Sequence, residues 1–292
     1  MGLIRKEDMN ESFWLEGISN PNILINGDFK NPINQRGLQS YTVNTKYTID
    51  RWIANGNVKI DLVDNGIKIT PLSNGSFWDG IRQYIEDFKK LSNKKVTLSI
   101  KVNSINDIWY AYLQIGSDEN YGRLEFNKTG IHSITIDIGE LKDKDKLSVI
   151  IDNNKASLKP IEIEWVKLEI GDHQTKFVPR PYGEELALCQ RYYERSDHSI
   201  RGLICSDLLR TNFNVLYKQR KRLTPTLKIY GVNNEEGVIN GKIPSDQNFP
   251  ISVFFNNTDG FGGIDIEDKK GQSFVVGELF EIHLWEADAE IY

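Results

Sequence analysis

The feature that most constrains this chain is a two-residue period in hydrophobicity, broken at short intervals by turn dipeptides. Lys95-Val96-Thr97-Leu98-Ser99-Ile100-Lys101-Val102 is the cleanest run, with an aliphatic residue at every second position. Residues 47–53, 58–63, 109–115, 131–138, 147–151 and 161–168 follow the same rule. Successive strand side chains point to opposite faces. This spacing therefore predicts antiparallel strands with one face in a core and one in water. The breaks carry Asn-Gly at 26–27, 55–56, 65–66, 74–75 and 240–241, and Asp-Gly at 79–80 and 259–260. Such pairs tolerate the positive φ that tight hairpins need. About ten short strands with almost no helix predict an all-β, jelly-roll type of sandwich. Collagen triplets, heptads and short β-helix repeats are absent.

At 292 residues the chain is long enough for two domains, each with its own core. The Pro-punctuated run Phe177-Val178-Pro179-Arg180-Pro181-Tyr182-Gly183 reads as a linker. The expected organisation is an N-terminal segment (1–21), a jelly-roll sandwich (22–178), a linker and helix (179–195) and a smaller β domain (196–292). Within residues 1–21, Phe13, Trp14, Leu15 and Ile18 have helical spacing. They predict either a small helix packed on the first domain or an attachment segment for a partner. Residues 184–195 form the best helix, with Glu184 and Glu185 at its start and Arg191 and Arg195 near its end, matching the macrodipole. Further strands are expected at 200–205, 211–217, 226–230, 251–255, 273–276 and 280–285.

Charge argues against several functions. The net charge is −5, and residues 1–182 are balanced, so the excess acid lies in the second part. A nucleic-acid binder needs a basic footprint that this chain lacks. The exception, Lys218, Arg220, Lys221 and Arg222, reads as a solvated hairpin end. No apolar run approaches the ~20 residues of a membrane span. The opening residues Met1–Asp8 have no apolar leader core, so the expectation is synthesis in the cytosol and, for any role outside the cell, exit by a route other than ordinary secretion, such as lysis. Cys189 and Cys205 make no disulfide framework and read as buried thiols.

The chain also lacks the marks of an enzyme. It has no HExxH, GxSxG, Walker loop or metal-spaced Cys/His cluster. His132, His173, His198 and His283 are scattered and expected at the surface. Glu162 and Glu164 share a strand face by alternation, but acidic residues on a wet face are ordinary. Carbohydrate binding instead needs aromatic rings for sugar C–H faces, with amide, carboxylate and guanidinium partners for hydroxyls. The densest candidate set is Asp107, Trp109, Tyr110, Tyr112 and Gln114. Period two groups Tyr110, Tyr112 and Gln114 on one face and puts Trp109 on the other, so these rings cannot all fill one core. Trp78, Arg82 and Tyr84 form a second set. Phe255, Asn257, Asp259 and Phe261 form a third, in a polar, aromatic, Gly-rich stretch read as a loop.

Two stretches carry a resemblance. The first is Asn22-Ile23-Leu24-Ile25-Asn26-Gly27-Asp28-Phe29, with Gln35-Arg36-Gly37 and Tyr47-Thr48-Ile49-Asp50-Arg51-Trp52 after it. The second is Trp165-Val166-Lys167-Leu168-Glu169-Ile170-Gly171, continuing into 177–193. Both resemble phage tail-fibre and receptor-binding proteins that carry a carbohydrate-binding-module-like sandwich. The run Leu284-Trp285-Glu286-Ala287-Asp288 is similar to the last strand of the small β domain that ends many of them. The resemblance implies an oligomeric virion protein, expected as a homotrimer at the tail or baseplate. Other tail proteins and host cell-surface carbohydrate would be its partners. Related modules often hold a structural calcium. Here Asp28 is a weak candidate, because Lys30 stands where an acid is common, and Glu164 stands in the closing strand; with so few oxygen ligands the expectation is no cofactor, a structural calcium being the alternative. The alternatives are a structural baseplate, fibre-connector or decoration protein and, further off, a glycan-degrading enzyme or its accessory module.

Overall fold

The computed structural model describes residues 19–73, 78–116, 119–142, 146–153, 157–204, 210–241, 247–266 and 276–291. The attachment segment up to residue 18, Asn74-Gly75, Cys205 and residues 273–275 lie outside these. The chain divides into two compact units, Met1–Glu185 and Leu186–Tyr292.

Strands of the first unit are β1 (Ser40–Asn44), β2 (Ile53–Asn55), β3 (Asn57–Val63), β4 (Gly66–Pro71), β5 (Gly80–Ile85), β6 (Lys95–Ile105), β7 (Trp109–Ile115), β8 (Glu119–Phe126), β9 (Gly130–Asp137), β10 (Leu147–Asp152) and β11 (Ile161–Ile170). They form a six-stranded sheet, β1-β3-β4-β11-β6-β9, and a five-stranded sheet, β2-β5-β10-β7-β8. Every pairing is antiparallel. Alternation sets the inner faces. Val96, Leu98, Ile100 and Val102 of β6 join Trp109, Ala111, Leu113 and Ile115 of β7, and Leu147, Val149 and Ile151 of β10, in one core. Burying each large aliphatic side chain contributes about 1.5–3 kcal/mol, so the sandwich is the arrangement this spacing favours.

Three expectations about these elements need correction. Residues 47–52 are not a strand; of the expected run only Ile53, the first residue of β2, is in one. Thr48 N–H donates to the Trp52 carbonyl and Trp52 N–H to that of Ile49, with Arg51 at φ 70, so the segment is a compact turn. Strand β11 does not keep one alternation. Its register against β6 shifts between Glu162 and Trp165. This bulge moves the buried positions from Ile161 and Ile163 to Val166 and Leu168. Trp165, Lys167 and Glu169 then face away from the core, yet they are buried because the following segment folds back. The Trp165 and Phe177 rings stack at 4.7 Å. Lys167 Nζ donates to Thr175 Oγ1 at 2.6 Å and pairs with Glu169 at 3.0 Å. The Asn-Gly pair at 240–241 is also not a turn, since both residues lie within a strand of the second unit.

The first resembling stretch forms a buried polar knot around Asn26, which sits at φ 59. Its amide donates to the Ile33 and Asp50 carbonyls at 2.8 Å each, and its Oδ1 accepts from Ile33 N–H at 2.7 Å. Trp52 Nε1–H donates to the Asn26 carbonyl at 2.8 Å. The second stretch closes onto the same knot. Glu185 Oε1 accepts from Asn26 N–H at 2.6 Å, and Arg180 donates to the Leu24 carbonyl and pairs with Glu185. Glu185 is thus more than a charge at a helix start. Its helix, α1 (Tyr182–Gln190), is shorter than expected, and Arg191 and Arg195 fall beyond its end.

The second unit contains β12 (Tyr193–Arg195), β13 (Ile200–Leu203), β14 (Arg210–Leu216), β15 (Thr226–Tyr230), β16 (Val238–Gly241), β17 (Gln247–Asn256), β18 (Gly260–Ile266), β19 (Leu279–Ile282) and β20 (Leu284–Asp288). A three-stranded sheet, β12-β20-β15, accompanies a six-stranded one, β13-β19-β16-β17-β18-β14. Its core is aromatic, with Phe261 packed edge-on against Trp285 at 5.3 Å and Tyr217 beside both. The basic run at 218–222 is not simply a solvated end. Lys221 is fully buried, donating to the Gln190 carbonyl and paired with the equally buried Glu194. The other three basic residues remain outside the core.

Candidate functional site

The outer face of the five-stranded sheet gathers most of the first two candidate sets. Strand register builds it in rows. Gly80, Asp152 and Tyr110 align across β5, β10 and β7; so do Arg82, Ile150 and Tyr112, and then Tyr84, Ser148 and Gln114. On β8 the register slips opposite Tyr112, because Ala111 pairs with Leu124 and Leu113 with Tyr121. Gly122 and Arg123 therefore oppose one residue. Gly122 takes φ 58, and a Cβ there would collide with the Ile136 side chain. The bulge delivers Arg123 over the Tyr110 ring, with its guanidinium carbon 3.8 Å from the centroid.

Tyr110, Tyr112 and Ile150 form a small buried cluster on this face, separate from the main core. Tyr112 donates its hydroxyl proton to Asp152 Oδ2 at 2.6 Å. Asp152 is fully buried and its Oδ1 has no partner. Burial pushes its carboxyl up to about 7, helped by the Asp79 charge and opposed by the Tyr112 hydrogen bond and the Arg123 and Arg82 charges. Burial and the Asp152 charge likewise raise the Tyr112 hydroxyl well above the usual phenol range. Arg82 donates to the Tyr84 hydroxyl at 3.0 Å and lies 5.6 Å from that ring's centroid. Trp78 stands two residues before the Gly80 row and is 48% exposed. Its carbonyl is held by Asn55 Nδ2–H at 2.6 Å. Asp107 lies just before β7 and caps its start by accepting from Ile108 N–H.

The structure thus brings together Arg82, Tyr84, Tyr110, Tyr112 and Gln114, with Trp78 and Asp107 beside them. Trp109 must be removed from the set, because it points to the opposite face of β7 and is fully buried in the core. Arg123 and Asp152 escaped the sequence reading. Arg123 depends on a bulge, whose only trace is Gly122. Asp152 continues the 147–151 run, and the consecutive aliphatic residues Val149, Ile150 and Ile151 are the available sign that both faces of β10 are covered.

The third set is not a loop site. Residues 260–266 are strand β18, and Phe261 belongs to the second unit's core. Asn257 and Asp259 shape the β17–β18 hairpin. Asn257 Oδ1 accepts from the backbone N–H groups of Asp259 and Gly260, and Asp259 pairs with Arg220 at 3.5 Å. Phe255 lies over Gly262, where a Cβ would meet its ring. Glu162 and Glu164 line an open groove of about 510 Å³ with Asp64, Asn65 and Asn103. Asp28 accepts from Lys30 N–H and Asn31. Among the described residues, no three His, Cys, Asp or Glu side chains converge as a metal site. His173, His198 and His283 are exposed, and His132 is half-buried.

No family model and no curated protein matches the sequence. Several solved structures are similar to it. A family 29 carbohydrate binding module from Piromyces equi is 13% identical, spans 46% of this chain and 93% of its own, and superposes with a TM-score of 0.30. The CBM22-1 xylan-binding domain of Paenibacillus barcinonensis Xyn10C is 11% identical over 53% of this chain and 98% of its own, with a TM-score of 0.33. The CBM22-1-CBM22-2 tandem domain of the same protein spans 94% of this chain and 98% of its own, at 10% identity and a TM-score of 0.32.

Proposed function

We propose that the first unit binds carbohydrate on the outer face of its five-stranded sheet. The observation that carries this is the half-exposed Trp78 beside a tyrosine-floored face bearing Arg82, Arg123 and Gln114. A ring can stack on sugar C–H groups while forks and amides take the hydroxyls. Half of a Trp side chain is roughly 100 Å² of surface, worth up to ~2.5 kcal/mol when covered. Trp78→Ala is therefore expected to weaken glycan binding about tenfold or more, with an unchanged circular-dichroism spectrum. The check is a glycan array followed by titration of the full chain. A chain that retains no saccharide, or a Trp78→Ala variant that binds as well as the parent, removes this reading.

The finer reading is host attachment by a phage tail or tail-like particle, with several copies supplying avidity for weak single contacts. Its support is the sequence resemblance, whose two stretches meet at Asn26, Arg180 and Glu185. Immunogold labelling of particles tests the location, and a solution mass tests the trimer. If labelled particles bind cells without any glycan contact by this chain, the structural connector is the role left.

A further inference from the structure

We infer that Arg51 is a positioning residue of this carbohydrate face, one that lies too deep to touch a ligand but fixes Tyr84 and, through it, Arg82. This rests on the carbohydrate-binding reading above. In the stretch Asp50-Arg51-Trp52 the two outer side chains serve the knot. Asp50 accepts from the Gln35 backbone and side chain, and Trp52 donates to the Asn26 carbonyl. Arg51 reaches β5 instead. It is buried, and its backbone takes φ 70. A residue with a Cβ stays in that left-handed region only where its surroundings hold it, and such residues gather at functional sites.

Strand register says what Arg51 is held for. β2 pairs with β5 through Ile53 and Arg82, Ala54 and Ile81, and Asn55 and Gly80. Tyr84 lies two residues past one end of this ladder. No β2 residue is left to pair with it there, because the chain turns away at Trp52, whose N–H donates to the Ile49 carbonyl. The Arg51 guanidinium takes the Tyr84 carbonyl at 2.8 Å, standing in for the missing strand. The Tyr84 hydroxyl in turn accepts from Arg82 at 3.0 Å, and the Arg82 guanidinium carbon lies 5.6 Å from the Tyr84 ring centroid. An unbroken chain of contacts therefore runs from Arg51 through Tyr84 to Arg82. The other end of the ladder repeats the device. Trp78 precedes Gly80 by two residues, and Asn55 Nδ2–H holds its carbonyl at 2.6 Å. Both ends of β2 thus finish in a side chain that grips the backbone of an aromatic residue of the face. Holding these residues before a ligand arrives removes an ordering cost from binding.

The test is calorimetric titration of the full chain with xylohexaose, chitohexaose, sialyllactose and trigalacturonate, the tightest of these being carried through the variants. Arg51→Gly is the decisive variant, because glycine accepts φ 70 freely and loses only the side chain. It should weaken binding at least about fivefold, the ordering cost of two freed side chains. Arg51→Lys should recover part of that loss, since an ammonium can still donate to a carbonyl but lacks the planar fork. In Tyr84→Ala the arginine has no ring left to place, so adding Arg51→Gly should weaken binding by less than about twofold more. Spectra of protein with labelled tyrosine rings and arginine nitrogens should show the Tyr84 and Arg82 signals shifted in Arg51→Gly, and those of Tyr110 and Tyr112 unmoved. A merely structural residue would lower the unfolding midpoint and leave affinity and these signals as in the parent. That result overturns the inference and leaves carbohydrate binding standing. Fully additive losses in the double variant overturn it too, because Arg51 would then act by a path other than Tyr84. Should Arg51→Gly fail to fold, Arg51→Lys carries the same comparison with the parent. A parent chain that binds neither these saccharides nor any on the array overturns both readings.

Discussion

Replacing Asn26 with alanine is expected to destabilise the first unit by about 4 kcal/mol. The Asn26 side chain makes three buried hydrogen bonds, to Ile33 N–H and to the Ile33 and Asp50 carbonyls. Alanine removes all three bonds in a site closed to water, at ~1 kcal/mol or more each, and leaves the Ile33 carbonyl with the Asp50 N–H as its remaining donor. It must also adopt φ 59, which adds ~1 kcal/mol for a residue with a Cβ and no polar tip. Asn26→Gly separates these contributions, because glycine accepts that backbone freely and loses only the hydrogen bonds. Asn26→Asp keeps the Ile33 N–H bond but sets an anion against two carbonyl oxygens, so it should be no better than alanine. Urea unfolding gives the magnitudes. Hydrogen exchange locates the loss at residues 33 and 50–52, with the second unit's strands unchanged. An alanine variant within ~1 kcal/mol of the parent would mean that the knot is not holding these segments together.

That knot shows where the sequence is legible and where it is not. Alternation located β6 and β7 to within a few residues, because each has one face in the core and the repeating Val, Leu and Ile positions follow from that alone. The same logic separated Trp109 from Tyr110 and Tyr112, and the register then grouped the tyrosines with Arg82, Tyr84 and Gln114. Residues 47–52 misled for a physical reason. Their alternation comes from a turn whose Ile49 and Trp52 are buried, while Thr48 and Arg51 carry the polar bonds, with Arg51 reaching the Tyr84 carbonyl. Bulges defeat the reading in another way. A single extra residue near Glu164 or at Gly122 reverses which side chains face out, and only pairing with a distant strand determines where it falls. Long-range partners are equally invisible. Nothing local says that Lys221, in a basic run, will meet Glu194, or that Asp152 will lie under Tyr112.

The Lys221–Glu194 pair gives the second large effect, and its two halves should not cost the same. Both side chains are removed from water, and breaking a buried pair by deleting one partner costs about 3–5 kcal/mol. In Lys221→Met the Glu194 carboxylate is left buried with, among the described residues, only the Lys218 N–H as donor, so the full penalty is expected. In Glu194→Gln the stranded group is the amine, which has an escape. Burial already holds the Lys221 ammonium below the usual lysine range, and loss of the Glu194 charge lowers it further. The amine can sit neutral against the Gln190 carbonyl. The unfolded chain keeps an ordinary lysine and therefore binds more protons between the depressed folded value and about 10.4. Stability of Glu194→Gln should thus rise with pH across that window, while Lys221→Met should show no such recovery. Removing both charges, as in Lys221→Met with Glu194→Leu, should return much of the loss, since apolar replacement of a whole buried pair is often near neutral. Denaturant unfolding followed by hydrogen exchange in β12 and β20, at neutral and alkaline pH, measures all three. Equal, pH-independent losses in the single variants would show that the amine stays charged on its own, and that the pair is not what sets the strength of this core.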